Sequence, residues 1–106
     1  MVFRGGIRIG SSPSDSMNFT WPFVKVIFEK ECFRIIVSFI QKKEYVILYK
    51  NVTKISYKRG LFSKGVIIEH VMPLTPSYII FWTKQTDYFL QLCRNNNMPI
   101  NLNFKE

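Results

Sequence analysis

The stretch that constrains the fold most is residues 66–97, which joins two apolar strand patterns to one helical pattern. Residues 66–71 and 78–83 are short runs rich in β-branched and aromatic side chains, which is typical of strands. Every position of Tyr78–Trp82 is apolar or aromatic, so this strand is predicted to be covered on both faces.

The helical pattern follows directly after the second run. Phe89 and Leu92 are three positions apart and share a predicted apolar face, which indicates an amphipathic helix. Thr83 suits the N-cap, because its hydroxyl can accept a hydrogen bond from a free first-turn N–H. Three asparagines end at Asn97 and Pro99 follows, which favours a left-handed cap there. The helix is therefore expected to begin within a few residues of Thr83 and to end near Asn97.

Alternating apolar and polar residues precede this stretch and predict a series of strands. The predicted strands are residues 23–29, 32–39, 45–49 and 52–58. Residues 29–31 and 41–44 are polar and are predicted to be turns. Broken alternation in residues 52–58 indicates a bulge or a bend. Short turns favour antiparallel hairpins. The predicted fold class is mainly β: a barrel of six antiparallel strands, or seven with residues 7–9, closed by one C-terminal α-helix.

The length of 106 residues predicts one folded domain. Residues 1–18 are interpreted as an N-terminal segment that carries a Gly/Ser/Pro linker and a short edge strand, and residues 19–106 as the barrel. The longest apolar runs are five residues, far below the ~20 that a membrane span requires. With no apolar region of a signal peptide either, the expected location is cytoplasmic.

Neither a catalytic nor a metal-ligating pattern is present in the sequence. The two cysteines, Cys32 and Cys93, are predicted to be free thiols, and His70 is the single histidine. His70 follows Glu69 on a predicted strand, where neighbours point to opposite faces, so a packed or surface histidine is expected. The chain is therefore predicted to be a non-enzyme without a cofactor or a metal.

The order of elements resembles the pleckstrin-homology-like (PH-like) barrel, and more narrowly a small bacterial or archaeal family of PH-like domains of unknown function. The likeness covers residues 21–100 and is carried by Pro22-Phe23, Val52 and Ile55, residues 60–66, residues 81–83 and residues 97–99. The resemblance implies a binding module for lipid, peptide or protein. Lipid-binding members carry basic residues around the first hairpin turn, whereas here Glu29-Lys30-Glu31 is net acidic.

The net charge of +8 favours anionic partners. The predicted partner-binding residues form a basic loop with an apolar tip: Lys54, Lys58, Arg59, Leu61, Phe62 and Lys64. The alternative is that the apolar tip folds onto the barrel and the basic residues are simply solvated. The predicted function is protein interaction. The alternatives are peripheral attachment to an anionic membrane and nucleic-acid binding through the basic and aromatic face.

Overall fold

A computed structural model describes residues 1–60 and 64–101 of the chain. This part contains eight strands, one α-helix and a 3-10 turn at Tyr49–Asn51. The elements are β1 Val2–Gly10, β2 Ser16–Phe28, β3 Cys32–Phe39, β4 Gln41–Leu48, β5 Val52–Arg59, β6 Lys64–His70, β7 Tyr78–Trp82, α1 Thr86–Asn95 and β8 Ile100–Asn101.

All the described strands belong to one sheet in the order β4-β3-β2-β1-β7-β6-β5-β8. The sheet curls into a half-barrel, and the single α-helix follows β7, so the mainly β class is confirmed. The predicted strand count was too low. The eighth strand is only Ile100–Asn101, and it pairs with β5 in the parallel sense, which corrects the expectation of a wholly antiparallel sheet. Its two residues follow Pro99 and were too short to give a strand pattern.

The N-terminal strand is central and not at an edge, contrary to the sequence prediction. β1 lies between β2 and β7 in the sheet and is nine residues long. Phe3 and Ile7 from this strand are buried in the core. The predicted boundary after residue 18 falls inside β2, and the predicted linker is a hairpin loop in which Ser11 N–H donates to Asp15 O at 3.0 Å.

The β3–β4 hairpin reverses at one residue, Ile40, since Phe39 and Gln41 are already paired. The polar residues 41–44, predicted to be a turn, belong to β4, whose first four positions are all exposed. The ranges predicted for β3 and β7 agree with the structure. The irregularity predicted within residues 52–58 is found as a register shift between Val52 and Lys54.

Phe89 of α1 joins the helix to the core of the half-barrel. Its ring centroid lies 4.9 Å from that of Phe28, 5.0 Å from that of Phe3 and 5.5 Å from that of Phe81. Burying a benzyl side chain among aromatic neighbours stabilises by about 2–3 kcal/mol through apolar transfer alone. The helix therefore covers the end of the sheet at which β1 begins and β2 ends.

The helix begins and ends within the expected range, but Thr83, the predicted N-cap residue, does not occupy the N-cap position. Gln85 precedes the first helical residue and makes no side-chain cap bond. The Thr83 hydroxyl accepts from Gln85 N–H at 3.3 Å and donates to Arg4 O at 3.1 Å, so it joins the helix entry to β1. Asn97 has φ 62°, which confirms the predicted left-handed residue after the helix.

Candidate functional site

The predicted basic loop does not form one patch in the structure. Arg59 lines a cleft of about 540 Å³ against α1, together with Asp87 and Arg94. Lys64 lines a different groove beside Trp82, although Arg59 and Lys64 are opposite each other in the β5–β6 ladder. The basic residues predicted to act together are therefore divided between two hollows.

The other members of the predicted loop differ in their surroundings. Lys54 and Lys58 are exposed on β5, where Lys54 is opposite Glu69 and Lys58 is opposite Gly65. An acidic residue opposite Lys54 reduces the local positive potential. Leu61 and Phe62 lie outside the described residues. The structure thus places Lys54 and Lys58 apart from both hollows.

A group of apolar side chains lies at the end of the sheet away from the helix. We call it the hairpin-end patch, and its members are Phe19, Phe23, Phe39 and Ile40. The Phe39 ring centroid lies 5.2 Å from that of Phe23 and 6.2 Å from that of Phe19. At the other end of β3, the ring centroid of Phe33 lies 6.4 Å from that of Phe89 in the helix. Six residues of strand span about 20 Å, so the patch is far from the helix-covered end.

Ile40 at the tip of the hairpin combines exposure with backbone strain. Its side chain is 93% exposed and its φ is 62°, in the left-handed region. A β-branched residue is unfavourable there, and at the centre of so short a reversal Gly or Asn would be expected. Strained positions of this kind cluster at functional sites, which makes the tip the first candidate for partner contact.

Lysines and a free sheet edge adjoin the hairpin-end patch. Lys42 and Lys43 are the second and third residues of β4 and are exposed. In the part of the chain that the structure describes, β4 pairs only with β3, so its outer edge has unpaired backbone groups. Aromatic surface, positive charge and an open strand edge are therefore adjacent at this end of the fold.

The turn between β2 and β3, which the sequence indicated as the first hairpin turn, is not a basic pocket. Arg34 forms ion pairs with Glu29 at 3.0 Å and with Glu44 at 2.9 Å. Glu29, and to a smaller extent Glu44, raises the pKa of Arg34. Because both carboxylates neutralise Arg34, this basic residue is not available as an isolated charge for an anionic ligand.

His70 has a structural role in the loop between β6 and β7. Its Nδ1 accepts from Met72 N–H at 3.0 Å, so its Nε2 carries the hydrogen and donates to Pro76 O at 2.8 Å. Both nitrogens are thus occupied by backbone groups of that loop. Among residues 1–60 and 64–101, no group of three His, Cys, Asp or Glu side chains could hold a metal ion.

Burial controls the chemistry of two core groups. Desolvation raises the pKa of the Cys93 thiol to about 12, and it is also the main cause that raises the pKa of Tyr49 to about 12. The Tyr49 hydroxyl donates to Glu29 O at 2.6 Å. The pKa of the half-buried Cys32 thiol is also raised, first by desolvation and then by its hydrogen bond to Glu29. Both thiols are free, and neither has the low pKa of a reactive cysteine.

These shifts predict a loss of stability at alkaline pH. Cys93 would ionise near 9.0 and Tyr49 near 10.0 without burial, so between those values and about 12 the folded state binds more protons than the unfolded state. The free energy of unfolding should therefore fall as pH rises through this window, by up to about 1.4 kcal/mol per pH unit for the buried Cys93 thiol. Tyr49 acts in the same direction but contributes less, because solvent screens its hydroxyl.

Denaturant unfolding of the parent and of Cys93→Ala at pH 8, 9 and 10 measures this effect. Cys93→Ala is expected to be less stable at pH 8 but to lose less stability between pH 9 and pH 10. Equal losses in the two proteins would show that the Cys93 thiol is not desolvated.

Neither a membrane-spanning helix among the described residues nor a similar protein guides the interpretation of these surfaces. In the described ranges, no helix is both long enough and apolar enough to cross a membrane. Comparison with protein-family models, with curated proteins and with solved structures finds no match to this chain. The functional interpretation therefore depends on the surface chemistry of the chain itself.

The sequence interpretation missed the hairpin-end patch. Its members come from residues 19–23 and from residues 39–40, which alternation assigns to different elements. One signal was present: Phe39 and Ile40 are adjacent apolar residues immediately before a polar run, at a position where a turn residue would be expected.

Proposed function

We propose that this chain is a non-enzymatic PH-like module that binds an extended, acidic segment of a partner protein. The segment would add to the free edge of β4 and place apolar side chains on the hairpin-end patch. A curled, mainly antiparallel sheet with one C-terminal helix is the architecture that the PH-like resemblance implies, and this supports the proposal.

The observation that carries the proposal is the strained, exposed Ile40 next to the open edge of β4. An unpaired edge is a template for strand addition, in which backbone hydrogen bonds give affinity and side-chain pockets give specificity. Lipid and nucleic acid cannot form that backbone ladder. The edge therefore favours a polypeptide over the other anionic partners that the net charge allows.

Charge decides which polypeptide suits this edge. Lys42 and Lys43 bring positive charge to this edge, and lysines on an edge strand disfavour uncontrolled pairing between copies of one chain. The same lysines attract Asp or Glu in a partner strand. The expected segment is therefore an alternating sequence of apolar and acidic residues.

The test is a peptide selected against the parent protein from a random displayed library and then synthesised. Its affinity is measured by calorimetry for the parent, Ile40→Asn and Leu74→Asn. Leu74 is the matched control, because it is also fully exposed with φ 59° but lies in the β6–β7 loop.

Ile40→Asn is expected to raise the free energy of unfolding by about 1 kcal/mol, because Asn tolerates the left-handed conformation. The same variant should bind the peptide about tenfold more weakly, since an apolar contact at the tip is lost. Leu74→Asn should gain stability without losing affinity. Parent-like binding by Ile40→Asn, or equal weakening by Leu74→Asn, would refute the proposed contact surface.

Anionic vesicles and short oligonucleotides are the competing probes. The proposal predicts that Lys42→Glu/Lys43→Glu weakens binding of the selected acidic peptide and that neither competing probe displaces this peptide at physiological salt. Displacement by vesicles that disappears in Phe39→Ala would instead identify the patch as a membrane contact. Displacement by oligonucleotides with a steep salt dependence would identify it as a nucleic-acid contact.

A further inference from the structure

A second hollow lies on the outer side of the sheet, where β1, β7 and the helix entry meet. Its volume is about 1090 Å³, just above the usual range of about 300–1,000 Å³ for ligand sites. Both tryptophans of the chain, Trp21 and Trp82, line it. We call this hollow the tryptophan groove.

The two indoles differ in how they are held. The Trp82 ring lies over Gly65, where an added Cβ would be 2.7 Å from Trp82 Cε3. Trp82 is also opposite Gly6 of β1 in the ladder, so glycines flank it on both neighbouring strands. Trp21 comes from the long bulge of β2 and is 66% exposed. The groove therefore has one indole fixed against the sheet and one indole that is open to solvent.

The charged side chains of the groove are all positive. Arg4, Lys64 and Lys84 line it, and among the residues that the structure describes no lining side chain carries a carboxylate. Gln85 at the helix entry provides no side-chain cap, and it lies at the positive end of the helix dipole. Three cations without a counter-charge favour an anion, and the dipole adds to that preference.

We propose that the tryptophan groove binds a nucleoside phosphate, either free or as a unit of a single-stranded oligonucleotide. The cations would bind the phosphate, and the base would stack on an indole. Stacking on aromatic side chains, combined with a basic groove, is how proteins hold single-stranded nucleic acid without reading its sequence. This site is separate from the β4 edge and does not depend on the partner proposed for that edge.

Tryptophan fluorescence reports on this groove alone, because the chain has two tryptophans and both line it. The probes are ATP, octa-deoxyadenylate, tripolyphosphate and adenosine, each titrated at low salt and at near-physiological salt. ATP and the oligonucleotide are expected to quench the emission in a saturable manner. Tripolyphosphate and adenosine should bind at least tenfold more weakly than ATP, because each lacks one of the two recognised parts.

The salt dependence distinguishes a free nucleotide from an oligonucleotide. Three phosphate contacts on a single strand predict that log K falls with log salt at a slope of about −2. Affinity for octa-deoxyadenylate above that for ATP, with this slope, indicates a strand-binding groove. The reverse order indicates a nucleotide site. Either order supports the nucleoside phosphate class.

The variants are Arg4→Glu/Lys84→Glu and, as a control with the same change in charge, Lys42→Glu/Lys43→Glu. The first double substitution is expected to raise the dissociation constant measured by quenching at least tenfold. The control should change that constant by no more than about twofold. Trp21→Phe should remain folded, as Trp21 is largely exposed, and it should retain binding through Trp82.

Three results would overturn the inference. They are an absence of saturable quenching by ATP and by the oligonucleotide at low salt, equal affinity for tripolyphosphate and ATP, and equal weakening in both charge variants. The last result would show that the net charge acts without a defined groove. Circular dichroism of each variant confirms that it is folded before its quenching is compared.

Discussion

Replacing Phe89 with Ala is expected to lower the free energy of unfolding by about 3–5 kcal/mol, the usual cost of truncating a core aromatic residue. Phe89 is fully buried and contacts the rings of Phe3, Phe28 and Phe81, which come from three different strands. The variant therefore leaves a cavity where the helix meets the half-barrel. Urea unfolding followed by far-UV circular dichroism measures the change.

Gln91→Ala is the matched control for this prediction, because it truncates an exposed residue of the same helix. Its effect should stay within about 0.5 kcal/mol. If Phe89→Ala does not fold, Phe89→Leu retains part of the volume and should give a smaller, measurable loss. A loss below about 0.5 kcal/mol for Phe89→Ala would mean that the helix presents a different face to the sheet.

Gly5→Ala is expected to cost about 3 kcal/mol of stability, a large effect for the addition of one methyl group. A Cβ built on Gly5 would lie 1.8 Å from the carbonyl oxygen of Trp82 and 2.9 Å from its carbonyl carbon. Both atoms belong to the backbone of β7, so relief requires β1 and β7 to separate. Thermal unfolding of the parent and the variant detects the change as a lower Tm.

The neighbouring residue provides the control. A Cβ on Gly6 would lie 3.1 Å from its nearest atom, the carbonyl oxygen of Phe19, which a small backbone shift can relieve. Gly6→Ala should therefore cost about 1 kcal/mol or less. Similar losses for the two variants would contradict the close approach of β1 to β7 at Gly5.

The sequence predicted the elements whose side-chain pattern agrees with their burial. β3 alternates between apolar and more polar residues, and β7 is continuously apolar, so both ranges were found. The first half of β4 was mistaken for a turn, because an edge strand exposed to solvent has the polar composition of a loop. β1 was underestimated because Gly5 and Gly6 indicate a loop, whereas Gly5 is required by the close approach of β7.

The functional surfaces were less predictable than the fold. Proximity in the sequence grouped Arg59 with Lys64, but in the structure they line two different hollows, although they are opposite each other in the β5–β6 ladder. The hairpin-end patch depends on the approach of β2 to the end of β3, and the strain at Ile40 depends on a backbone angle. Neither feature is visible in residue types alone, because both arise from the register of strands distant in sequence.

The most direct measurement for the proposed partner surface is an NMR titration of the ¹⁵N-labelled protein with the selected peptide. The largest amide shift changes are expected along Gln41–Leu48 and at the hairpin-end patch, with new protection from hydrogen exchange at the outer edge of β4. Largest changes in α1, in the cleft lined by Arg59 or in the tryptophan groove, with an unchanged β4, would contradict the assignment of this edge as the binding surface.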